Sequence, residues 1–433
     1  MSVEAEVYKP ANHIRVVTAT SLFDGHDAAI NIMRRILQDT GVEVIHMGHN
    51  RSVREIADAA IEEDVQGIAV SSYQGGHIEF FKYLVDLLRE RDASHIKIFG
   101  GGGGVIVPEE IKTLEAYGVT KIYSPEDGAE LGLQGMINHM VRCMDFSTLK
   151  DGGISLKDLS PQNKLAVANL ITAAEQAKAS EDGHLAALRT ELAEKIGDRK
   201  TPVIGITGTG GAGKSSLTDE IILRILHDLK NIHVAVISCD PSRRKTGGAL
   251  LGDRIRMNAI GNPRLYLRSL ATRESQTEIP EVLADAVAAL KAAGFDLIIV
   301  ETAGIGQGDS SIADLVDISI YVMTSEFGAA SQLEKIDMLD FADLVVVNKF
   351  EKRGGEDAVR DVRKQVQRNR KAFDREPLDM PVFGTIASKF NDDGVTALYH
   401  AIIDTIHSKT GIKFEPRMPR PLTKTSSSKT III

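Results

Sequence analysis

Several things are scarce in this 433-residue chain, and each scarcity removes a class of function. No stretch of 18 apolar residues occurs, so nothing in it reads as a membrane-spanning helix. The N-terminus, MSVEAEVYKP, has neither the basic nor the apolar region of a secretory signal, and none is expected. Cysteine is limited to Cys143 and Cys239, far apart and without metal-ligand spacing. A disulfide framework is therefore excluded, and a reducing cytoplasm is the expected compartment. Positive charge is in deficit: 51 Lys and Arg against 60 Asp and Glu leave a formal net charge of −9. Such a balance offers no field to draw in nucleic acid or an anionic membrane surface.

What is present is a globular composition, 43% hydrophobic and 26% charged, at a length that suits two or three domains. Residues 1–145 alternate strand-like runs (13–19, 42–47, 65–72, 95–100 and 119–124) with amphipathic stretches. Five strands alternating with helices predict an α/β domain with a parallel sheet, in the flavodoxin-like (Rossmann-like) order 2-1-3-4-5. Residues 146–200 are rich in Ala, Leu, Glu and Lys at helical spacing and predict a helical linker. A second α/β unit is expected over 201–415, with strands near 202–207, 233–238, 295–300, 317–323, 343–347 and 381–385. The remainder, 416–433, is Pro-, Ser- and Lys-rich and is expected to be a disordered tail.

In open parallel sheets ligands bind beyond the carboxyl ends of the strands, at the switch in strand order. Phe23-Asp24-Gly25-His26-Asp27 falls there, after the first strand. An imidazole at that place can ligate a metal through one nitrogen while Asp24 holds the other ring N–H. No second protein ligand is needed if the metal arrives inside a macrocycle. Ser71-Ser72-Tyr73-Gln74-Gly75-Gly76 follows the third strand, and Gly100 to Gly104 follows the fourth. Bare backbone of this kind lets a ligand lie close, and Ala28 and Ala29 keep the start of the first helix small. Together these describe a narrow, hydroxyl-lined slot suited to a long nucleotide-like tail. His46, His49 and His77 show no pairing at ligand spacing and are left structural.

D-G-H-D-A-A, S-S-Y-Q-G-G and the glycine run resemble the cobalamin-binding domain of adenosylcobalamin-dependent mutases, whose pattern is D-x-H-x-x-G, S-x-L and a glycine pair. The resemblance implies that His26 is the lower axial ligand of cobalt and Asp24 its partner. It also implies a cofactor cradle of Gly25, Asp27, Ser71, Tyr73, Gly75, Gly101 and Gly102. Two departures stand out: Ala29 where the family has glycine, and Tyr73 where it has leucine.

Gly208 to Ser215, GTGGAGKS, follows the apolar run PVIGIT and precedes SSLTDEIILRIL, the strand–loop–helix context of a phosphate-binding loop. The amides of Gly210, Gly211, Ala212 and Gly213 would form an anion nest, beside Ser216 at the helix start. Lys214 would meet the β- and γ-phosphates, and the Ser215 hydroxyl would meet Mg²⁺. Asp240 and Glu301 end later strands and Asp253 follows Asp240; all three are candidate Mg²⁺ carboxylates, with Gly304 placed to sense the γ-phosphate. Asn348, Lys349 and Glu351 stand where N-K-x-D would read guanine, with Ala387-Ser388-Lys389 as the last base contact. Gln307 is a candidate to orient water, which makes Lys214, Glu301 and Gln307 the candidate catalytic set.

The P-loop, D-P-S, T-G-G-x-L-L-G-D-x-x-R-M, E-T-A-G-x-G-Q and N-K resemble the metallochaperone G proteins that serve methylmalonyl-CoA mutase. The two modules in this order resemble the front part of the fused isobutyryl-CoA mutase family, in which an acyl-CoA-binding barrel follows. That resemblance implies adenosylcobalamin, GTP/GDP and Mg²⁺ as cofactors, and a GTPase that gates cofactor loading. It further implies a mutase barrel domain or subunit and a cobalamin adenosyltransferase as partners, and a homodimer. No barrel lies within the 433 residues, so the mutase reaction is not expected from this polypeptide alone. Two other readings stay open: a non-catalytic B12 carrier or sensor, and a partitioning ATPase that Glu351 does not exclude. Coupling between the sites is expected in Pro241–Asn258, with a Gly247-Gly248 hinge, in Ala303–Ser311 and in Glu326–Lys335.

Overall fold

The computed structural model describes residues 6–149, 156–180, 184–273, 275, 279–304, 311–327 and 333–426. They form two compact units. The first takes the chain up to Leu188 and adds Asp240–Ile255 and the stretch from Arg268; the second takes the rest. The expected boundaries near 145 and 200 are not followed, because side chains far apart in sequence are buried together.

The first unit alternates β1 (Arg15–Thr20), α1 (Ala28–Asp39), β2 (Glu43–His46), α2 (Val53–Glu62), β3 (Gly67–Ser71), α3 (His77–Glu90), β4 (Lys97–Gly101), α4 (Pro108–Tyr117), β5 (Lys121–Tyr123) and α5 (Pro125–Met144). Period-2 strands send successive residues to opposite faces. Val17, Ala19 and Ile45 join α2, α3 and α4 in one core, whereas Val16, Val44, Ala69 and Phe99 join α1 and α5 in another. Ser52 and Glu55 close a capping box that starts α2 at that point. Helices α6 (Lys164–Ser180) and α7 (His184–Ile196) occupy the expected linker, and Leu188 closes the first unit inside α7.

The parallel sheet has the order β5-β4-β3-β1-β2-β8, which is the expected 2-1-3-4-5 with one addition. Strand β8 (Ala249–Leu251) pairs with β2 through Glu43↔Ala249 and Ile45↔Leu251. It comes from a stretch beyond the P-loop in sequence, and nothing local marks it as a strand. Gly248 lies against α1: a Cβ there would strike the Gln38 carbonyl. Arg243 also pairs with Asp39.

At the amino ends of these strands nine charged side chains alternate in one line: Arg268, Glu175, Arg273, Glu43, Arg15, Glu63, Arg254, Glu62 and Lys164. Successive contacts measure 2.6 to 2.8 Å. The side chains of Glu63 and Arg254 are fully buried. Burial alone would raise the Glu43 pKa, but the Arg273 and Arg15 guanidiniums outweigh it and bring it to about 2. These contacts bring Glu175 on α6, and Arg254, Arg268 and Arg273 from late in the chain, into the first unit.

The second unit contains β6 (Val203–Gly208), α8 (Lys214–Asp228), β7 (Val234–Asp240, its last residue counted with the first unit), the start of β9 (Leu265–Ala271, counted with the first unit from Arg268), α9 (Leu283–Ala293), β10 (Leu297–Glu301), β11 (Ile318–Thr324), α10 (Met338–Phe341), β12 (Leu344–Asn348), α11 (Gly355–Asn369), β13 (Val382–Thr385) and α12 (Asp393–Thr410). Its sheet has the order β13-β12-β11-β6-β10-β7-β9. Its core packs Ile204, Ile206, Ile299, Ile320 and Val346 against Leu217 and Ile221 of α8 and Leu398 and Ile402 of α12. Strand β9 was not expected; Arg268 interrupts its apolar pattern. The expectation of a disordered tail is corrected for 416–426. Lys424 Nζ donates to the carbonyls of Leu378, Asp379 and Met380 at 2.9, 3.0 and 3.1 Å. Ser426 Oγ donates to the buried Asp392 at 2.6 Å. Residues 427–433 lie outside the described residues.

Candidate functional site

The carboxyl ends of β1, β3 and β4 bring the first set of predicted residues together. Asp24, whose side chain is 1% exposed, accepts from His26 Nδ1 at 2.8 Å and from the amides of His26 and Tyr73. Burial pushes the Asp24 pKa up, but these three donors outweigh it and hold the carboxyl below its ordinary value. An ionised Asp24 fixes the proton on Nδ1 and leaves the ring's lone pair on Nε2, on a side chain 76% exposed. The Tyr73 ring lies 5.5 Å from that of His26. Ser21 Oγ donates to Ser72 Oγ at 3.0 Å, and the Ser72 amide donates to the Gly101 carbonyl at 2.9 Å, tying the three loops together. Gly25 and Gly75 are exposed, and Asp27 is the N-cap position of α1.

Beside this rim lies a cavity of about 440 Å³, lined by Ala29 and Met33 of α1, Ser71 and Tyr73, Phe99 to Gly103, and Met136 and Met140 of α5. A Cβ at Gly101 would meet only the Tyr123 carbonyl, at 3.7 Å, so backbone faces open space there. The buried Ser71 Oγ has no hydrogen-bond partner among the described residues. An apolar slot with bare backbone and one unsatisfied hydroxyl fits a corrinoid's nucleotide tail. Among the described residues no group of three His, Cys, Asp or Glu converges. His46, at the end of β2, is buried. It bonds Thr18 Oγ1 at 2.9 Å, and burial, aided by nearby Arg34, lowers its pKa to about 4.

The second set surrounds the loop after β6. Gly208 through Gly213 lead into α8, with Gly213 left-handed at its N-cap. Lys214 Nζ reaches the carbonyls of Gly208, Thr209 and Ala303 at 3.2, 3.3 and 3.4 Å. Gly304, at φ 71°, lies so close that any Cβ would collide with Lys214. Ser215 Oγ donates to Glu301 Oε1 at 2.7 Å, which pairs the two groups expected to share Mg²⁺. Asn348 Nδ2 donates to the Ala212 carbonyl at 2.9 Å, and its Oδ1 accepts from Thr385 Oγ1 and the Ala387 amide at 3.0 and 3.2 Å. Lys349 Nζ donates to the Gly211 carbonyl at 2.8 Å. Asn348 thus ties the phosphate loop to the segment Thr385–Ala387, and Lys349 makes a second contact to the phosphate loop. Ser216, Glu351 and Ser388 are exposed. Asp240 ends β7 and Asp253 opens a short 3-10 turn, both counted with the first unit. Gln307 lies outside the described residues.

Sequence reasoning missed Asp392. It is fully buried and accepts from the amides of Ile386 and Val395 at 3.2 and 3.0 Å, fixing the loop that carries Ser388. Its signal was present: an Asp directly before the apolar run of α12 is an N-cap.

A flavodoxin-like cofactor domain joined to a P-loop nucleotide-binding domain is the class that this fold and these two rims define. Residues 14–129 match the model of the B12 binding domain. Residues 167–424 match that of the methylmalonyl-CoA mutase-associated GTPase MeaB, and the chain belongs to that GTPase family. Curated relatives include a fused isobutyryl-CoA mutase of Geobacillus kaustophilus, 59% identical over 95% of this chain and 38% of the relative. Another, of Cupriavidus metallidurans, is 58% identical over 98% of this chain and 38% of its own length. The chain therefore spans about 38% of the length of these relatives. Among solved structures, an LAO/AO transport system kinase aligns at 25% identity over 61% of this chain and 78% of its own, with a TM-score of 0.43. Among the described residues no helix is long and apolar enough to cross a membrane.

Proposed function

We propose that this chain holds adenosylcobalamin in its first domain, hydrolyses GTP with Mg²⁺ in its second, and makes cofactor loading of an acyl-CoA mutase barrel depend on nucleotide state. The barrel is the isobutyryl-CoA/butyryl-CoA type, reached in the same polypeptide or as a subunit. A cobalamin adenosyltransferase as cofactor source, a homodimer and a cytoplasmic setting complete the reading. When bound, adenosylcobalamin supplies the homolysable cobalt–carbon bond with which a radical carbon-skeleton rearrangement starts.

This chain's own residues do the remaining work. Asp24 keeps the proton on His26 Nδ1 and so presents the Nε2 lone pair to cobalt. Ser71 and Gly101 would hold the cofactor's nucleotide tail. Lys214 and the P-loop amides neutralise the phosphates, Ser215 and Glu301 hold Mg²⁺, and Gln307 aims the attacking water, releasing GDP and phosphate. Asp240 and Asp253, counted with the first unit, are further candidate carboxylates for a metal. Asn348, Lys349, Glu351 and Ser388 read the base.

The observation that carries the coupling is β8. The chain leaves the P-loop sheet at Asp240 and by Ala249 is a strand of the cofactor sheet. The deciding experiment titrates the full chain with adenosylcobalamin by absorbance, with GDP or a non-hydrolysable GTP analogue. A base-off, histidine-on spectrum is expected, with a binding midpoint that differs between the nucleotides. A spectrum untouched by His26→Ala defeats the cofactor reading, and identical midpoints together with no GTP turnover leave only a carrier.

A further inference from the structure

Three residues before His26 the backbone does something that a bulky side chain avoids. Phe23 has φ 63°, the left-handed region, where L residues with a Cβ are disfavoured by roughly 1–2 kcal/mol. Its side chain is also 83% exposed, so burial of the ring does not compensate. The surroundings hold it there. The Phe23 amide donates to Asn50 Oδ1 at 2.8 Å, and Asn50 is itself left-handed at φ 58°. Both flanks of the turn are anchored, by Thr20 N to the Gly48 carbonyl at 2.9 Å, Arg51 N to the Thr20 carbonyl at 3.1 Å, and Asp24 N to the Ser21 carbonyl at 3.1 Å. A strained conformation fixed by its neighbours and presenting an apolar group to solvent is typical of a ligand contact.

Resting on the reading that His26 holds cobalt, we infer that Phe23 is a contact residue for the corrin ring itself. The side chain stands on the histidine's own loop, on the carboxyl-end rim, where a flat, apolar-edged macrocycle held by His26 would cover it. It belongs to the ring and not to the tail, because Phe23 is absent from the lining of the tail cavity. The Asn50 side chain is then a positioning group, acting through the backbone of Phe23.

The test uses the full chain, adenosylcobalamin and adenosylcobinamide, which has the ring without the nucleotide tail. Phe23→Ala is expected to weaken both corrinoids by a similar factor, about 10- to 100-fold for losing a buried aromatic contact. The histidine-on spectrum should return at saturation. Phe23→Gly, measured without corrinoid, is expected to melt at the wild-type temperature or above, because glycine accepts φ 63° without strain. Wild-type affinity in Phe23→Ala, a loss confined to adenosylcobalamin, or a lowered melting temperature in Phe23→Gly each overturns the assignment. If the wild type binds neither corrinoid, it is the cofactor reading that has failed.

Discussion

Glu63→Gln and Arg254→Met interrupt the same buried line of charges, and the structure predicts that they are unequal. The line begins and ends on cations, so every carboxylate lies between two of them. Removing the Glu63 charge leaves two fragments, each with one surplus cation in a desolvated setting. The new amide also turns a donor toward either Arg15 or Arg254, and the Ser269 amide and hydroxyl lose their ionised acceptor. Breaking a buried pair in this way costs about 3–5 kcal/mol. Removing Arg254 instead leaves two balanced fragments: Glu63 keeps Arg15 and Ser269, and Glu62 keeps Lys164. With methionine filling the volume, the cost should be about 1–2 kcal/mol. The measurement is the opening free energy of β1 and β8 amides by hydrogen exchange, which reports on the first unit without assuming two-state unfolding of the whole chain. Because the line sits at the amino ends of the strands, neither substitution should alter the His26 ligand spectrum. Equal costs, or Arg254→Met as the costlier change, would refute the charge-balance argument.

Three further outcomes follow from the two rims. Asp24→Asn should weaken cobalamin binding roughly 10- to 100-fold, since an amide presents its ligand histidine less firmly; unchanged titration curves would remove Asp24 from the role. Lys214→Ala should abolish GTP turnover while cobalamin affinity survives, checked by phosphate release beside absorbance titration, and equal loss of both would show that the two sites are one. His46 is neutral in the fold down to about pH 4, whereas the unfolded chain takes up a proton near pH 6.5. The unfolded state therefore binds more protons between these values, and stability present above pH 6.5 falls as pH drops toward 4, by at most about 3 kcal/mol. Thermal melts of the wild type and His46→Gln across that window should converge in the acid direction; parallel curves would exclude His46 as the cause.

Local signals settled what local physics controls. The β1–α1 and β6–α8 junctions were legible because a strand, a short glycine-bearing loop and an amphipathic helix announce themselves within about twenty residues. The strand order followed from the alternation of elements, and the phosphate-loop pattern marked Lys214 and Ser215; the roles given to His26, Ser71 and Asn348 came with the family resemblance. Non-local contacts decided the rest. Nothing near Ala249–Leu251 says that it pairs with β2, since that strand exists only because an edge some 200 residues earlier offers unpaired amides and carbonyls. Arg254 and Arg268 are buried because Glu62, Glu63 and Glu175 supply the charges that let guanidiniums be buried. The tail through Ser426 reads as disordered because its order depends on Asp392 and on carbonyls at Leu378 to Met380. A sequence window reports propensity and pattern; which distant charge or strand edge completes a segment is fixed only when the chain has folded.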